Sequence, residues 1–226
     1  MKVPRGGARA PHLGESFRGG RTIHHVQARP GSIDEGIAFV RDEVMLAAMA
    51  MEGCVGLSMI CDRESGHCIV ASAWWTEDAM SGSEQMMQPL RLRGAEFFGA
   101  RASVDRWEIA VLYRDSVSGE GACVRCTWFS LDAARLTHAI ETFRIATLPV
   151  LEEVDGFCSA SLMVDRATGR AVASSTFASR DAMVVSRSVP EVMRMRSRGA
   201  EDVGSTVTGI QEFELALAHL HVPEMA

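Results

Sequence analysis

Two adjacent histidines, His24-His25, and two adjacent tryptophans, Trp74-Trp75, are the residues of this chain best suited to chemistry. Each pair lies in a β-rich run, where neighbouring side chains point to opposite faces, so one member of each pair is directed to either side of a sheet. An imidazole with a pKa near 6.5 can take a phenolic proton as a general base and leave an electron-rich anion for reaction with oxygen. Read structurally, the same histidine is a hydrogen-bonded group near a strand start. An indole suits the wall of an aromatic-substrate pocket, and it equally suits a core in which its N–H finds a partner. Arg91 and Arg93, with Arg194, Arg196 and Arg198, follow each second helical region as a basic stripe that can hold a carboxylate or form a solvated face. Met86-Met87, Met193 and Met195 belong to a set of 13 methionines fit either for a core or for an adaptable pocket around a large apolar ligand.

Other chemistries find little footing. Cys123 and Cys126 form a lone CxxC, but residues three apart on a strand face opposite ways, which argues against joint metal ligation, and no metal site is expected. The remaining cysteines, 54, 61, 68 and 158, mostly sit in apolar runs and read as buried thiols. No P-loop, GxGxxG, HExxH or GxSxG motif occurs in a supporting context.

The elements that must position these residues are legible because the chain writes them twice. Gly53 to Met80 aligns without a gap to Gly156 to Met183 at an offset of 103, with nine of 28 positions identical. A period near 100 in 226 residues points to two similar units, each able to bury a core. In the first, Thr22 to Ala28 reads as a strand, and Ser32 or Asp34 caps a helix to about Met51 with apolar residues at three- and four-residue steps. Val55 to Cys61 and His67 to Trp75 flank a five-residue polar turn ending in Gly66, the signature of a hairpin. Thr76-Glu77-Asp78 starts a second helix to about Arg93, and Arg106 to Tyr113 closes the unit as a strand.

The second unit repeats this order with Cys123 to Phe129, a helix from about Leu131 to Val154, the Gly156 hairpin, a helix capped by Ser179, and Gln211 to Leu217. The expected class is therefore α+β: two fused ferredoxin-like βαββαβ repeats, residues 22–115 and 122–222, joined by a linker at 116–121. Each sheet has helices on one face only, so pairing the two uncovered faces, with exchanged edges, gives an intrachain α/β barrel. Residues 1–21, rich in Gly, Arg and Pro, read as a disordered tail.

Composition sets outer bounds. Hydrophobic residues make up 47% and charged residues 23%, no run approaches the roughly 20 apolar residues of a membrane span, and the net charge is −6. A membrane partner and a nucleic-acid partner are thus not expected, and thiol-rich apolar runs without an apolar leader point to a cytoplasmic protein.

The residues Val154-Asp155-Gly156-Phe157, the turn Asp165-Arg166 and the junction Phe177 to Ala182, matched in the first copy by Pro30-Gly31, Asp62-Arg63 and Trp74 to Ala79, resemble the antibiotic-biosynthesis-monooxygenase-like family of dimeric α+β barrels. The resemblance covers roughly residues 22 to 220 as a tandem fusion. It implies a pocket between sheet and helices in each unit, an apolar or aromatic small-molecule partner, and either cofactor-free oxidation of polycyclic aromatics or haem degradation. Of the haem-degrading residue set only the tryptophan is matched, by Trp74, with Phe177 in the second copy. Ser83 and Ser186 stand where the haem-ligating histidine would, and the first strand offers His24 and His25, or Arg125 and Cys126 in the second copy, instead of an asparagine.

The resulting expectation is a monomer or homodimer acting without a tightly bound cofactor, haem through a substitute ligand such as His24 or His25 being the exception, as a monooxygenase on an aromatic compound. A non-catalytic ligand-binding or interaction module is the alternative. The catalytic candidates are His24, His25 and Trp74, the substrate-binding candidates Trp75, Met86, Arg91 and Phe177, with the first unit expected to keep the pocket.

Overall fold

The computed structural model describes residues 19–99, 103–188 and 202–220. The first unit runs β1 (Gly20–Gln27), α1, β2 (Cys54–Cys61), β3 (His67–Trp74), α2 (Glu77–Phe98) and β4 (Ser103–Arg114). Here α1 is a continuous helical rod made of a 3-10 turn Pro30–Ser32, an α segment Ile33–Phe39, a π segment Val40–Val44 and an α segment Met45–Met49. The second unit repeats it: β5 (Cys123–Ser130), then α3 as the turn Ala133–Arg135, the α segment Leu136–Thr142, the π segment Phe143–Thr147 and the α segment Leu148–Glu152. There follow β6 (Phe157–Asp165), β7 (Arg170–Phe177), α4 (Arg180–Val185) with a 3-10 turn Ser186–Ser188, and β8 (Thr206–Leu220). Residues 1–18, and with them most of the expected tail, lie outside the described residues, as do Met193, Arg194, Met195, Arg196 and Arg198.

All eight strands close into one antiparallel barrel in the order β1-β3-β2-β8-β5-β7-β6-β4. Each unit contributes a four-stranded sheet, β4-β1-β3-β2 or β8-β5-β7-β6, the strand order of a ferredoxin-like unit. Closure comes from the two long last strands, which pair with their own first strand and with the hairpin of the other unit: Leu112 opposes Ser161 and Met59 opposes Leu217. Closing the sheet on itself buries the helix-free faces and removes edges on which another chain could add.

The repeated residues are the ones this geometry requires. Gly53 and Gly156 hold φ of +80° and +79°, and a Cβ on either would lie 2.7 Å from the Cβ of Ala79 or Ala182. Asp62 and Asp165 accept hydrogen bonds from backbone N–H groups and a hydroxyl of their own turns. Arg63 then reaches Glu214 of the second unit and Arg166 reaches Glu108 of the first, two equivalent pairs that cross the seam. Thr76 and Ser179 each accept the N–H three residues on, capping α2 and α4 as the sequence predicts.

Two boundaries differ from expectation. β1 begins at Gly20, because Trp74 and Glu108 flank it in register, so Gly20 and Arg21 belong to the barrel and not to a tail. α2 continues past Arg93 to Phe98, whose buried ring packs where Gly36 of α1 has no side chain, and stops at Gly99 with φ of +67°. The core has three layers. Ile23, Ile69, Trp107, Val172 and Phe213 fill the barrel, while separate apolar clusters lie under α1–α2 and under α3.

Candidate functional site

Alternation along the strands assigns each candidate to a layer. On β1, His24 and Val26 face the helices while Arg21, Ile23 and His25 face the barrel; on β5, Arg125, Thr127 and Phe129 face the helices while Val124, Cys126 and Trp128 face the barrel. His24 opposes Val70 and Thr127 opposes Ala173, positions that match at the repeat offset. The second-copy partners of His24 and His25 are therefore Thr127 and Trp128, correcting the assignment of Arg125 and Cys126 to those places. Cys123 packs in the helix-side cluster and Cys126 in the barrel, so the CxxC is split across the sheet.

In the first unit the space between sheet and helices amounts to about 60 Å³, lined by His24, Phe39, Val44, Met87, Leu90 and Arg91 among others. Burial, then the nearby Arg91 and His25 charges, push the His24 pKa down to about 4. Its Nδ1 is buried and unpartnered among the described residues. At neutral pH this ring is uncharged and its Nδ1 has an unmet hydrogen-bonding need, a costly state in a low-dielectric site. Arg91 is anchored by a 2.6 Å hydrogen bond from Nη2 to the Glu84 carbonyl.

Trp74 faces the same layer, is 1% exposed, and donates from Nε1 to Ser72 Oγ at 3.0 Å, so it fills volume instead of walling the cavity. Trp75 is half-buried and packs with the small cluster of Val55, Ala73 and Ile109. Met86 points to solvent at 58% exposure, and its neighbour Met87 takes the cavity position, because only one of two successive helical residues can face the sheet. His25, on the barrel face, stacks on His67 with its Nδ1 3.3 Å from the other ring's Nε2, while its Nε2 lies 3.5 Å from Asp105. Burial foremost, and then His67, lowers its pKa despite Asp105.

The second unit holds the larger sheet–helix space, about 170 Å³, lined mainly by Leu136, Phe143, Leu151, Leu162, Ala173 and Phe177, so the expectation that the first unit keeps the pocket is reversed. Its polar end is Arg125. The guanidinium donates to Glu212 at 2.9 Å, to Ser186 Oγ at 3.0 Å and to the Met183 carbonyl at 2.7 Å, and lies 5.9 Å from the Phe177 ring centroid. Burial by itself would raise the Glu212 pKa, but Arg125 and Arg187 together hold it below the usual carboxylate range. Both π segments line their cavities, through Val40 and Val44 in α1 and through Phe143 and Thr147 in α3. Such bulges often mark functional positions in helices. Sequence reading named Phe177 here but gave Arg125 no site role; a lone arginine on an otherwise apolar strand was the available signal.

Ser83 and Ser186, where a haem-ligating histidine would stand, each donate to the carbonyl three residues earlier at 2.7 Å and offer no imidazole, and the two spaces are smaller than the roughly 300–1,000 Å³ of ordinary cofactor pockets. Among the described residues there is no cluster of three or more metal-ligating side chains, and no helix long and apolar enough to cross a membrane.

No protein-family model matches the chain. It is 48% identical over 203 residues to the uncharacterized protein Rv2557 and 49% identical over 201 residues to the uncharacterized protein Rv2558, both of Mycobacterium tuberculosis. The alignments cover 88% of this chain, and 88% and 84% of those two. Among solved structures, a Fusobacterium nucleatum protein superposes with a TM-score of 0.71 at 10% identity, covering 91% of this chain and 95% of that one. An anthrone oxidase-like protein gives 0.65 at 13% identity with 96% and 99% coverage. The heme-degrading enzyme LmHde of Listeria monocytogenes gives 0.51 at 9% identity with 87% and 99% coverage. At identities this low, these superpositions show a shared fold, a closed barrel of two ferredoxin-like units.

Proposed function

Because the chain belongs to the family of Rv2557 and Rv2558 and carries the antibiotic-biosynthesis-monooxygenase-like barrel, we propose that it binds a small apolar or aromatic molecule between sheet and helices of its second unit. The observation that carries this reading is the cavity of about 170 Å³ there, mostly apolar, with Arg125 at one end locked by Glu212, Ser186 and Met183. A space near 150 Å³ lined by aliphatic and aromatic side chains is enough to bind a benzene-sized ring. Hydroxyls of Ser175 and Thr142 line the same space and can orient a polar substituent.

Thermal unfolding in the presence of 1-naphthol tests it, since a ligand of the native state raises stability by mass action. Wild-type protein should show a saturable rise in Tm. Ala139→Phe, which fills the cavity from α3, should fold and lose that rise; an undiminished rise in this variant overturns the assignment.

A second reading is favoured by one observation, the buried unpartnered Nδ1 of His24 beside Arg91. In this reading the first unit oxidises an anthrone-like phenol. His24 receives the phenolic proton, Arg91 stabilises the anion, one atom of O₂ enters the substrate as a carbonyl and the other leaves as water with two substrate hydrogens. A ring enters this 60 Å³ space only if α2 side chains such as Met87 and Leu90 move. Oxygen uptake with anthrone that survives His24→Leu would count against it.

A further inference from the structure

The barrel itself encloses a third space, of about 150 Å³, that neither sheet–helix reading uses. Arg21 enters it from β1. Nη2 donates to Ser58 Oγ at 2.8 Å and Nη1 approaches the Met163 sulfur at 3.9 Å, while Nε is buried without a partner. Among the described residues no carboxylate lies within ion-pair distance of this guanidinium. Cys126 supplies no countercharge, for burial pushes its thiol up to about 12. Enclosure also lowers the Arg21 pKa, yet a guanidinium does not shed its proton in proteins. The result is a persistent positive charge with free donors, facing a mostly apolar space: an expensive arrangement that a bound anion would relieve.

We propose that the barrel interior is a second ligand site, in which Arg21 binds the carboxylate of a small monoanionic organic acid whose apolar body lies against Ile23, Ile69, Trp107 and Val172. Arg21 is the lining cation whose Nε is buried without a partner, and one negative charge meets that need, which favours a monocarboxylate over a phosphate dianion. The planar guanidinium fork matches carboxylate geometry in a bidentate pair, and the space is of the size that accepts a single ring. Ser161 and Ser174, whose hydroxyl oxygens are 3.0 Å apart, line the same cavity and supply further donors. Half-buried Arg114 and exposed His219 also line it and mark where it approaches solvent, the Arg114 charge being placed to attract an acid.

Calorimetric titration with benzoate, and with benzyl alcohol as the uncharged ring of similar size, tests the site. Wild-type protein should bind benzoate at least about tenfold more tightly than benzyl alcohol, as a charge-assisted bidentate pair requires. Arg21→Met should abolish the difference, and Arg21→Lys, which keeps the charge without the fork, should retain weaker benzoate binding. Ala139→Phe should leave benzoate binding intact while losing 1-naphthol, so failure of this site and of the second-unit site are separable. Equal affinity for benzoate and benzyl alcohol in wild-type protein, unchanged benzoate affinity in Arg21→Met, or loss of benzoate binding in Ala139→Phe with Arg21 intact overturns the proposal.

Discussion

The two sheet–helix cavities lie at matching places in the two units, yet one is small and carries an imidazole nitrogen without a partner among the described residues, while the other is larger and carries a satisfied guanidinium. Several of the described residues around them are exchanged. Trp74 in the first unit is Phe177 in the second, Thr22 is Arg125, and His24 is Thr127. In the first unit the indole donates to Ser72, and the buried His24 Nδ1 has no partner among the described residues. In the second Phe177 lines the cavity, and Arg125 is held by Glu212, Ser186 and Met183. A duplicated fold thus preserves its frame while its two pockets diverge, because the frame depends on turns and caps and the pockets on side-chain volume.

The largest expected effect falls on the second unit. Arg125→Met leaves Glu212 partly buried with Arg187 as its remaining ion pair, and breaking such a pair typically costs about 3–5 kcal/mol, to be read from denaturant unfolding. The equivalent Thr22→Ala should cost less than about 1.5 kcal/mol; equal losses would show that the two units do not differ as described.

The first unit should dominate acid sensitivity. His24 has a folded pKa near 4 against about 6.5 unfolded, so the unfolded chain takes up the proton first. Stability is full above about pH 6.5 and falls progressively as the pH drops toward 4, by about 3 kcal/mol in total from this group. His24→Leu should flatten that slope over the same window, whereas Thr127→Val should leave it unchanged.

Exchanging the aromatic residues sharpens the comparison further. Trp74→Phe removes the Ser72 hydrogen bond and leaves unfilled volume, at a cost of about 1–2 kcal/mol, and should widen the first cavity enough to admit a ring detectable by ligand-induced Tm shift. Phe177→Trp takes up part of the second cavity and should weaken 1-naphthol binding, read as a smaller ligand-induced rise in Tm. The smallest effects belong to the exposed seam pairs: Arg63→Gln and Arg166→Gln should each cost under about 1 kcal/mol, Arg63 the more because it also pairs with Asp34.

Much of the frame was legible in the sequence. Gly53, Asp62, Gly66 and their repeats encode turn conformations that few other residues adopt, and Thr76 and Ser179 encode helix starts; these are local requirements, read from residue type and spacing alone. Phe177 was also identified as a cavity residue. Arg21 was missed because the glycines and arginines before it resemble an unpacked tail, and only pairing with Ala73 and Trp107 makes it a strand residue. Met86 and Met87 could not be told apart as neighbours on one helix, since the choice between them depends on the rotation of α2 against the sheet.

The sequence by itself determined that the chain is two βαββαβ units with one open sheet face each, because periodicity, caps and positive-φ glycines act within a few residues of one another. The tertiary structure alone decided which unit keeps a cavity, that Arg125 is neutralised by Glu212 while Arg21 has no such carboxylate partner among the described residues, and that the barrel encloses a space of its own. Those outcomes depend on volumes and charges brought together across up to 151 residues of sequence, as in the Arg63–Glu214 pair, and no local pattern carries that distance.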